Sequence, residues 1–239
     1  MLCCRLAAVR LRPGFDSRLG RLKTKMSIFL KIFKILHKTY GPQGWWPIKG
    51  RYSKDNFSRK LSKDEVFEVC VGAILTQNTA WKNVEKALNN LYPLSPKKIK
   101  RLSVEQLKRA VQPAGYFNQK ASYLKIFADY FLNLKKTPSR EELLSVKGIG
   151  NETADSILLY AFKQPEFVVD AYTKRLFDRL GLIKNKSYLE TKKIFESNLK
   201  RDADLFQEFH ALIVEHAKRF CQKVPKCEGC PLKRVCKLK

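Results

Sequence analysis

Acidic residues are scarce in this chain: 22 Asp and Glu stand against 48 Lys and Arg in 239 residues, a formal charge of +26. That shortage is the electrostatic footprint of a polyanion binder. No apolar run is long enough to span a membrane as a helix. The positive charge is scattered along the whole chain rather than gathered on one amphipathic helix, which favours nucleic acid over a membrane surface as the partner. Strand-like runs are nearly missing too. Only "FVVD" (167–170) qualifies, and it is too short to build a sheet. "VKGIGNETADSILLY" (146–160) has two glycines but no Lys-Ser/Thr ending and no third glycine after a strand, which excludes a P-loop and a dinucleotide fingerprint. No internal repeat or low-complexity segment occurs. With 44% hydrophobic and 11% aromatic residues, the chain is not a disordered basic tail.

What is present is helical periodicity. "MSIFLKIFKILHKTY" (26–40) has a broad apolar face, and "KDEVFEVCVGAILTQNT" (63–79) opens with acids and is almost wholly apolar from Val66 to Leu75, as a buried core helix would be. Further helical patterns cover roughly 80–91, 103–111, 119–133, 152–162, 171–181, 187–199 and 203–220, with turn signals that include Pro96. An all-α protein is expected. "PSREELLSV" followed by the glycine turn reads as helix, tight hairpin, helix. Gly148 and Gly150 permit positive φ and close backbone approach, and the free amides of the second helix would point outward at a tip suited to phosphate.

Cys221, Cys227, Cys230 and Cys236 follow the spacing C-x5-C-x2-C-x5-C. Disulfides, zinc and an iron–sulfur cluster compete for this loop. Zinc usually draws on two close pairs, and only one exists here. Four thiolates on one short segment suit a cubane cluster, and Cys230-Pro231 echoes the ending of ferredoxin-type loops. Cys70, inside the apolar helix, is expected to be a small core residue. His37, His210 and His216 share no metal-ligand spacing with the cysteines and are given no role. The Arg-rich segment 1–25 reads as a non-native or disordered leader. Gly14–Ser17 can be encoded by a sequence matching the T-arm of a transfer RNA gene, so the natural start is expected at Met26.

The hairpin "LLSVKGIGNETADSILLYAF", then "FVVDAYTKRLFDRLGL", then the four-cysteine loop together resemble the helix-hairpin-helix (HhH-GPD) DNA glycosylase superfamily that includes endonuclease III. The resemblance covers roughly residues 27–239. Within it, "GPQGWWP" (41–47) and "GAILTQNTAWKNVEKAL" (72–88) look most like the endonuclease III-related 3-methyladenine glycosylases. The cysteine loop is one residue shorter between its first two cysteines than that of endonuclease III, which argues against that enzyme itself.

The resemblance implies a two-domain fold: a six-helix domain over 58–164 carrying the hairpin at about 140–160, and a helical domain from 26–57 and 165–239 carrying a 4Fe-4S cluster on the four cysteines. It puts Glu152 where bifunctional members have the lysine that attacks the sugar. A carboxylate cannot form a Schiff base, so the implied enzyme is monofunctional. It would hydrolyse the N-glycosidic bond of a damaged base, a 3-methyladenine-like purine, and leave an abasic site. The alternative is a bifunctional glycosylase and lyase acting on oxidised pyrimidines. Asp170 is implied as the catalytic carboxylate, stabilising an oxocarbenium-like sugar; Asp is equally a preferred helix N-cap. Gln77 and Asn78 match the wedge that fills the gap left by a flipped base. Gly148, Ile149, Gly150, Lys174 and Arg175 are expected to contact DNA. Trp45 and Trp46 are expected to wall the base pocket, where indole faces suit a cationic alkylated purine. The expected partner is double-stranded DNA, bound by a monomer in the cytoplasm of a prokaryote.

Overall fold

A computed structural model describes residues 26–54 and 59–238, so the segment 1–25 and its expected origin lie outside the described residues. Among the described residues there are α-helices and no strand. They are α1 (Ile28–Tyr40), α2 (Lys63–Leu75), α3 (Trp81–Leu91), α4 (Pro96–Arg101), α5 (Val104–Val111), α6 (Phe117–Leu132), α7 (Arg140–Ser145), α8 (Asn151–Ser156), α9 (Ala171–Arg179), α10 (Tyr188–Asn198) and α11 (Ala203–Arg219). "FVVD" is extended but pairs with nothing as a strand.

Side-chain caps explain most of the helix starts. Ser62, Ser103, Ser139 and Ser187 each form a reciprocal capping box with the Glu or Gln three residues on. The sequence patterns miss α4, because Pro96 reads as a break. In the structure Pro96 occupies the first turn behind the Ser95 cap, where its missing N–H costs nothing. The expected helix over 152–162 is also not uniform: α8 ends at Ser156 and a π-helical turn, Ile157–Ala161, continues it.

Two aromatic centres organise the core. Phe29 of α1, Phe177 of α9, Phe195 of α10, Phe209 of α11 and Phe167 stack on one another with centroid separations from 4.1 to 6.1 Å. Phe67 of α2 packs with Phe127 and Phe131 of α6. Each buried phenyl contributes roughly 1.5–3 kcal/mol of transfer free energy. The π turn is buried throughout and contacts both α2 and α11, so it carries Tyr160 between the two centres. In α2 every residue from Phe67 to Leu75 is buried, including Cys70 and Glu68. The Glu68 carboxylate accepts from the Lys49 N–H and the Tyr92 hydroxyl, both at 2.6 Å, which satisfies a buried charge.

Candidate active site

The hairpin is built by unequal glycines. Gly148 has φ +92, and a Cβ there would lie 2.5 and 2.6 Å from the Cδ atoms of Tyr123 on α6. It is glycine because the backbone both turns left-handed and lies against an aromatic ring. Gly150 corrects the expectation of a matched pair: its φ is −96 and a Cβ there would meet nothing within 4 Å. It caps α8 without a side-chain hydrogen bond, leaving the first-turn amides free of an internal cap. Ile149 is only 6% exposed and its N–H is taken by Val146 O at 3.0 Å, so its side chain belongs to the core and it does not line the cleft.

The hairpin is anchored from beneath. Arg140, opening α7, donates to Asn151 Oδ1 at 2.7 Å and to Asp155 Oδ1 at 2.8 Å across the turn. Asp155 is fully buried and also accepts from Tyr188 Oη at 2.7 Å and Lys192 Nζ at 2.6 Å, both on α10. Gln77, after α2, donates its amide to Gly148 O at 2.8 Å and Thr153 Oγ1 at 3.0 Å. That amide is therefore committed to the hairpin; Asn78 beside it adopts a left-handed φ of +51. Lys120 of α6 is buried and donates to Leu75 O, Thr79 Oγ1 and Ala114 O at 2.8–2.9 Å, fastening the same turn from the other side. Burial without a carboxylate partner lowers its pKa to about 8.

A cleft of about 610 Å³ opens beside the hairpin tip. Trp45, Trp46, Gln77, Asn78, Gly148, Gly150, Glu152 and Asp170 all line it, so most of the expected site residues converge. Trp46 stands edge-on to Trp81 at 5.1 Å and packs on Gly72, where a Cβ would come within 3.1 Å of its indole. Trp81, Tyr123, Tyr172, Lys218 and His210 also line the cleft, and sequence reasoning did not assign them.

Asp170 caps α9. Its Oδ1 accepts from Thr173 N at 2.7 Å, and its Oδ2 lies 3.5 Å from His210 Nε2. Burial by itself would raise this carboxyl's pKa. The His210 imidazole facing Oδ2 and the Thr173 N–H on Oδ1 outweigh burial and hold it below the ordinary aspartate value. Glu152 behaves oppositely. Its side chain lines the cleft and is exposed to the solvent there, yet the surrounding walls raise its pKa to about 6, first by burial and next by the Asp170 charge. Two carboxyls at one site are thus driven apart: Asp170 ionised, Glu152 close to half-protonated in mildly acidic solution.

The remaining expected residues lie elsewhere. Lys174 is exposed on α9 and is not a lining residue of the cleft. Arg175 donates from Nε to Cys221 O at 2.7 Å, and Arg179 donates to Cys221 Sγ at 3.3 Å and Gln222 O at 2.6 Å, so these guanidiniums hold the cysteine loop. None of the four loop cysteines forms a disulfide. Among the described residues no three His, Cys, Asp or Glu side chains gather tightly enough for a single metal ion. The donor set nonetheless suits a cubane, which takes one thiolate at each corner of an extended cluster. Burial raises the Cys230 pKa, and Cys227, Cys236 and Cys221 each push it further, so the other three sulfurs lie within electrostatic range of it.

Residues 71–201 match the family described as HhH-GPD superfamily base excision DNA repair protein. A Methanocaldococcus jannaschii protein named "Putative DNA repair glycosylase MJ1434" is 46% identical over 90% of this chain and 98% of its own length. Among solved structures, the H. pylori 3-methyladenine DNA glycosylase MagIII bound to 1,N6-ethenoadenine is 32% identical, with a TM-score of 0.66 over 80% of this chain and 97% of that one. A non-covalent endonuclease III–DNA complex shares the fold at 19% identity, with a TM-score of 0.71 over 89% of this chain and 96% of that one. The chain is a DNA glycosylase and belongs to the HhH-GPD superfamily of base excision repair proteins.

Proposed function

We propose that this glycosylase is monofunctional: it hydrolyses the N-glycosidic bond of a flipped, N-alkylated purine of the 3-methyladenine class and leaves an abasic site. One observation carries the proposal. Glu152, which the match of "GIGNETA" to the family motif assigns to the position where bifunctional members present a lysine, is a carboxylate and shares the cleft with Asp170. A lyase needs an amine to form an imine with the sugar, and Glu152 offers none.

In this mechanism the damaged base leaves the stack and enters the cleft between Trp45, Trp46 and Trp81. A base alkylated on a ring nitrogen is cationic, so indole faces bind it and it departs without a dedicated acid. Asp170, ionised and fixed by Thr173, stabilises positive charge developing on the sugar and orients the attacking water. Support for the substrate class comes from the 32% identical 3-methyladenine glycosylase with a modified adenine bound. The net charge of +26 supplies attraction to the DNA backbone.

In the same proposal Cys221, Cys227, Cys230 and Cys236 hold a 4Fe-4S cluster, which when bound would supply a one-electron centre and a rigid brace. Arg175 and Arg179 pin the start of that loop to α9, the helix capped by Asp170. The protein acts as a monomer on double-stranded DNA.

The test is incubation with duplexes that each carry one lesion: 3-methyladenine, 7-methylguanine, 1,N6-ethenoadenine, thymine glycol or uracil. Abasic sites are scored separately from strand breaks formed without alkali. Release of alkylated purines with intact oxidised and deaminated pyrimidines is the expected pattern. Preference for thymine glycol would refute the substrate class.

A further inference from the structure

Helix α11 brings a buried imidazole to the catalytic cleft that the mechanism above does not use. His210 lies 40 residues from Asp170 in sequence, is 5% exposed, and points Nε2 at Asp170 Oδ2 across 3.5 Å. That nitrogen has no hydrogen-bond partner at ordinary distance. On the other side of the ring, Nδ1 is 2.7 Å from the hydroxyl of the buried Tyr160, which the π turn carries.

Proton positions follow from these contacts. The Tyr160 hydroxyl has one proton and two acceptors in reach, His210 Nδ1 at 2.7 Å and Gln207 O at 3.3 Å. If the proton went to Gln207, the neutral ring would carry its own proton on Nδ1 and aim the Nε2 lone pair at a carboxylate, which is repulsive. With the hydroxyl donating to Nδ1, Nε2 keeps its proton and faces the one Asp170 oxygen that Thr173 does not hold. A buried donor and a buried acceptor then face each other with room to close as charge develops on the sugar.

We infer that His210, with its tautomer set by Tyr160, is a positioning residue for base excision that keeps Asp170 ionised and turned to the cleft. The inference rests on the reading of Asp170 as the excising carboxylate. Other charged groups face the pair: Glu152 of α8 opposes the Asp170 charge, Lys174 of α9 relieves it at Glu152, and Glu208 of α11 acts on Tyr160. None of these faces the free oxygen of Asp170 as His210 does, so losing the imidazole removes the donor that offsets burial there.

The experiment measures release of radiolabelled 3-methyladenine from methylated duplex DNA under single-turnover conditions from about pH 5 to pH 8. Binding to a duplex holding a tetrahydrofuran abasic analogue is measured in parallel. His210→Leu is expected to slow release roughly 10- to 100-fold, the scale of losing one preorganised donor. Its rate should also climb with pH, as an unrelieved buried carboxylate ionises later. Affinity for the abasic duplex should be unchanged. His210→Gln, which retains a donor, should recover most of the rate, and Tyr160→Phe should fall between. Repeating the profile with Glu152→Gln assigns the limb, since one that persists belongs to Asp170.

Wild-type rate and profile in His210→Leu would overturn the inference. So would a loss of rate that merely tracks lost affinity and is not rescued by Gln. Asp170→Asn separates the two levels. If it excises normally, the catalytic reading falls and this inference with it; if it is inactive while His210→Leu is normal, only the inference falls.

Discussion

Gly148→Ala and Gly150→Ala add the same methyl group at the two ends of one turn, yet the structure predicts different outcomes. At Gly148, φ is +92, where a side chain costs on the order of 1–3 kcal/mol. The added Cβ would also stand 2.5 and 2.6 Å from the Cδ atoms of Tyr123, a ring that cannot bend away like a flexible side-chain end. Displacing it adds about 1–3 kcal/mol as an overpacking cost. The sum is roughly 2–6 kcal/mol, and for a chain of this length each kcal/mol lowers Tm by about 2–4 °C. Gly148→Ala should therefore melt on the order of 5–20 °C lower. Because the turn also receives the Gln77 amide, affinity for abasic duplex should fall with it. Gly150→Ala meets nothing within 4 Å and keeps an extended backbone, so its Tm should stay within about 2 °C of wild type. Thermal melting followed by circular dichroism, with fluorescence anisotropy for DNA, reads both. A Gly148→Ala protein as stable as wild type, or equal losses in the two variants, would refute the steric account of the hairpin.

Three further outcomes follow from the site. Asp170→Asn should bind abasic duplex like wild type but release 3-methyladenine at least roughly 100-fold more slowly, measured by single-turnover base release. Glu152 has a folded pKa of about 6, above its ordinary value, so the folded state binds the extra proton and loses stability as pH rises between about 4.5 and 6. Glu152→Gln should accordingly raise Tm at pH 7.5 and not at pH 4; the cleft admits solvent, which keeps the gain under about 1 kcal/mol, and equal shifts at both pH values would contradict the raised pKa. Protein purified without oxygen should be brown with about four iron atoms per chain, and Cys227→Ser should lose that iron; stoichiometric zinc without visible absorbance would exclude the cluster.

Much of the fold was legible because its signals are local. The apolar stretch of α2, the Asp170 cap and the glycine turn each act over a few residues, and the matching helices form where those signals stand. Pro96 misled because proline breaks a helix interior but suits a helix start, and only the Ser95 cap distinguishes the two. The π turn was illegible, since its register depends on Tyr160 reaching across to α11. Within the site, Asp170 and Glu152 were found through motif positions. His210 was not, because its meaning arises only when α11 folds against the start of α9. Arg175 looked available for phosphate from helix spacing alone, and tertiary packing gave its Nε to Cys221 O instead.

The central claim is that excision proceeds through water and not through an enzyme amine. Borohydride reduction during turnover tests it most directly, because it converts any imine between protein and sugar into a stable adduct. Wild-type protein mixed with a duplex bearing 3-methyladenine, or with an abasic duplex, should give alkali-labile sites, no nick before alkali and no trapped adduct. Glu152→Lys, which restores an amine beside Asp170, should give a weak adduct in the same assay. A strong adduct and strand cleavage by the wild-type protein would contradict the account.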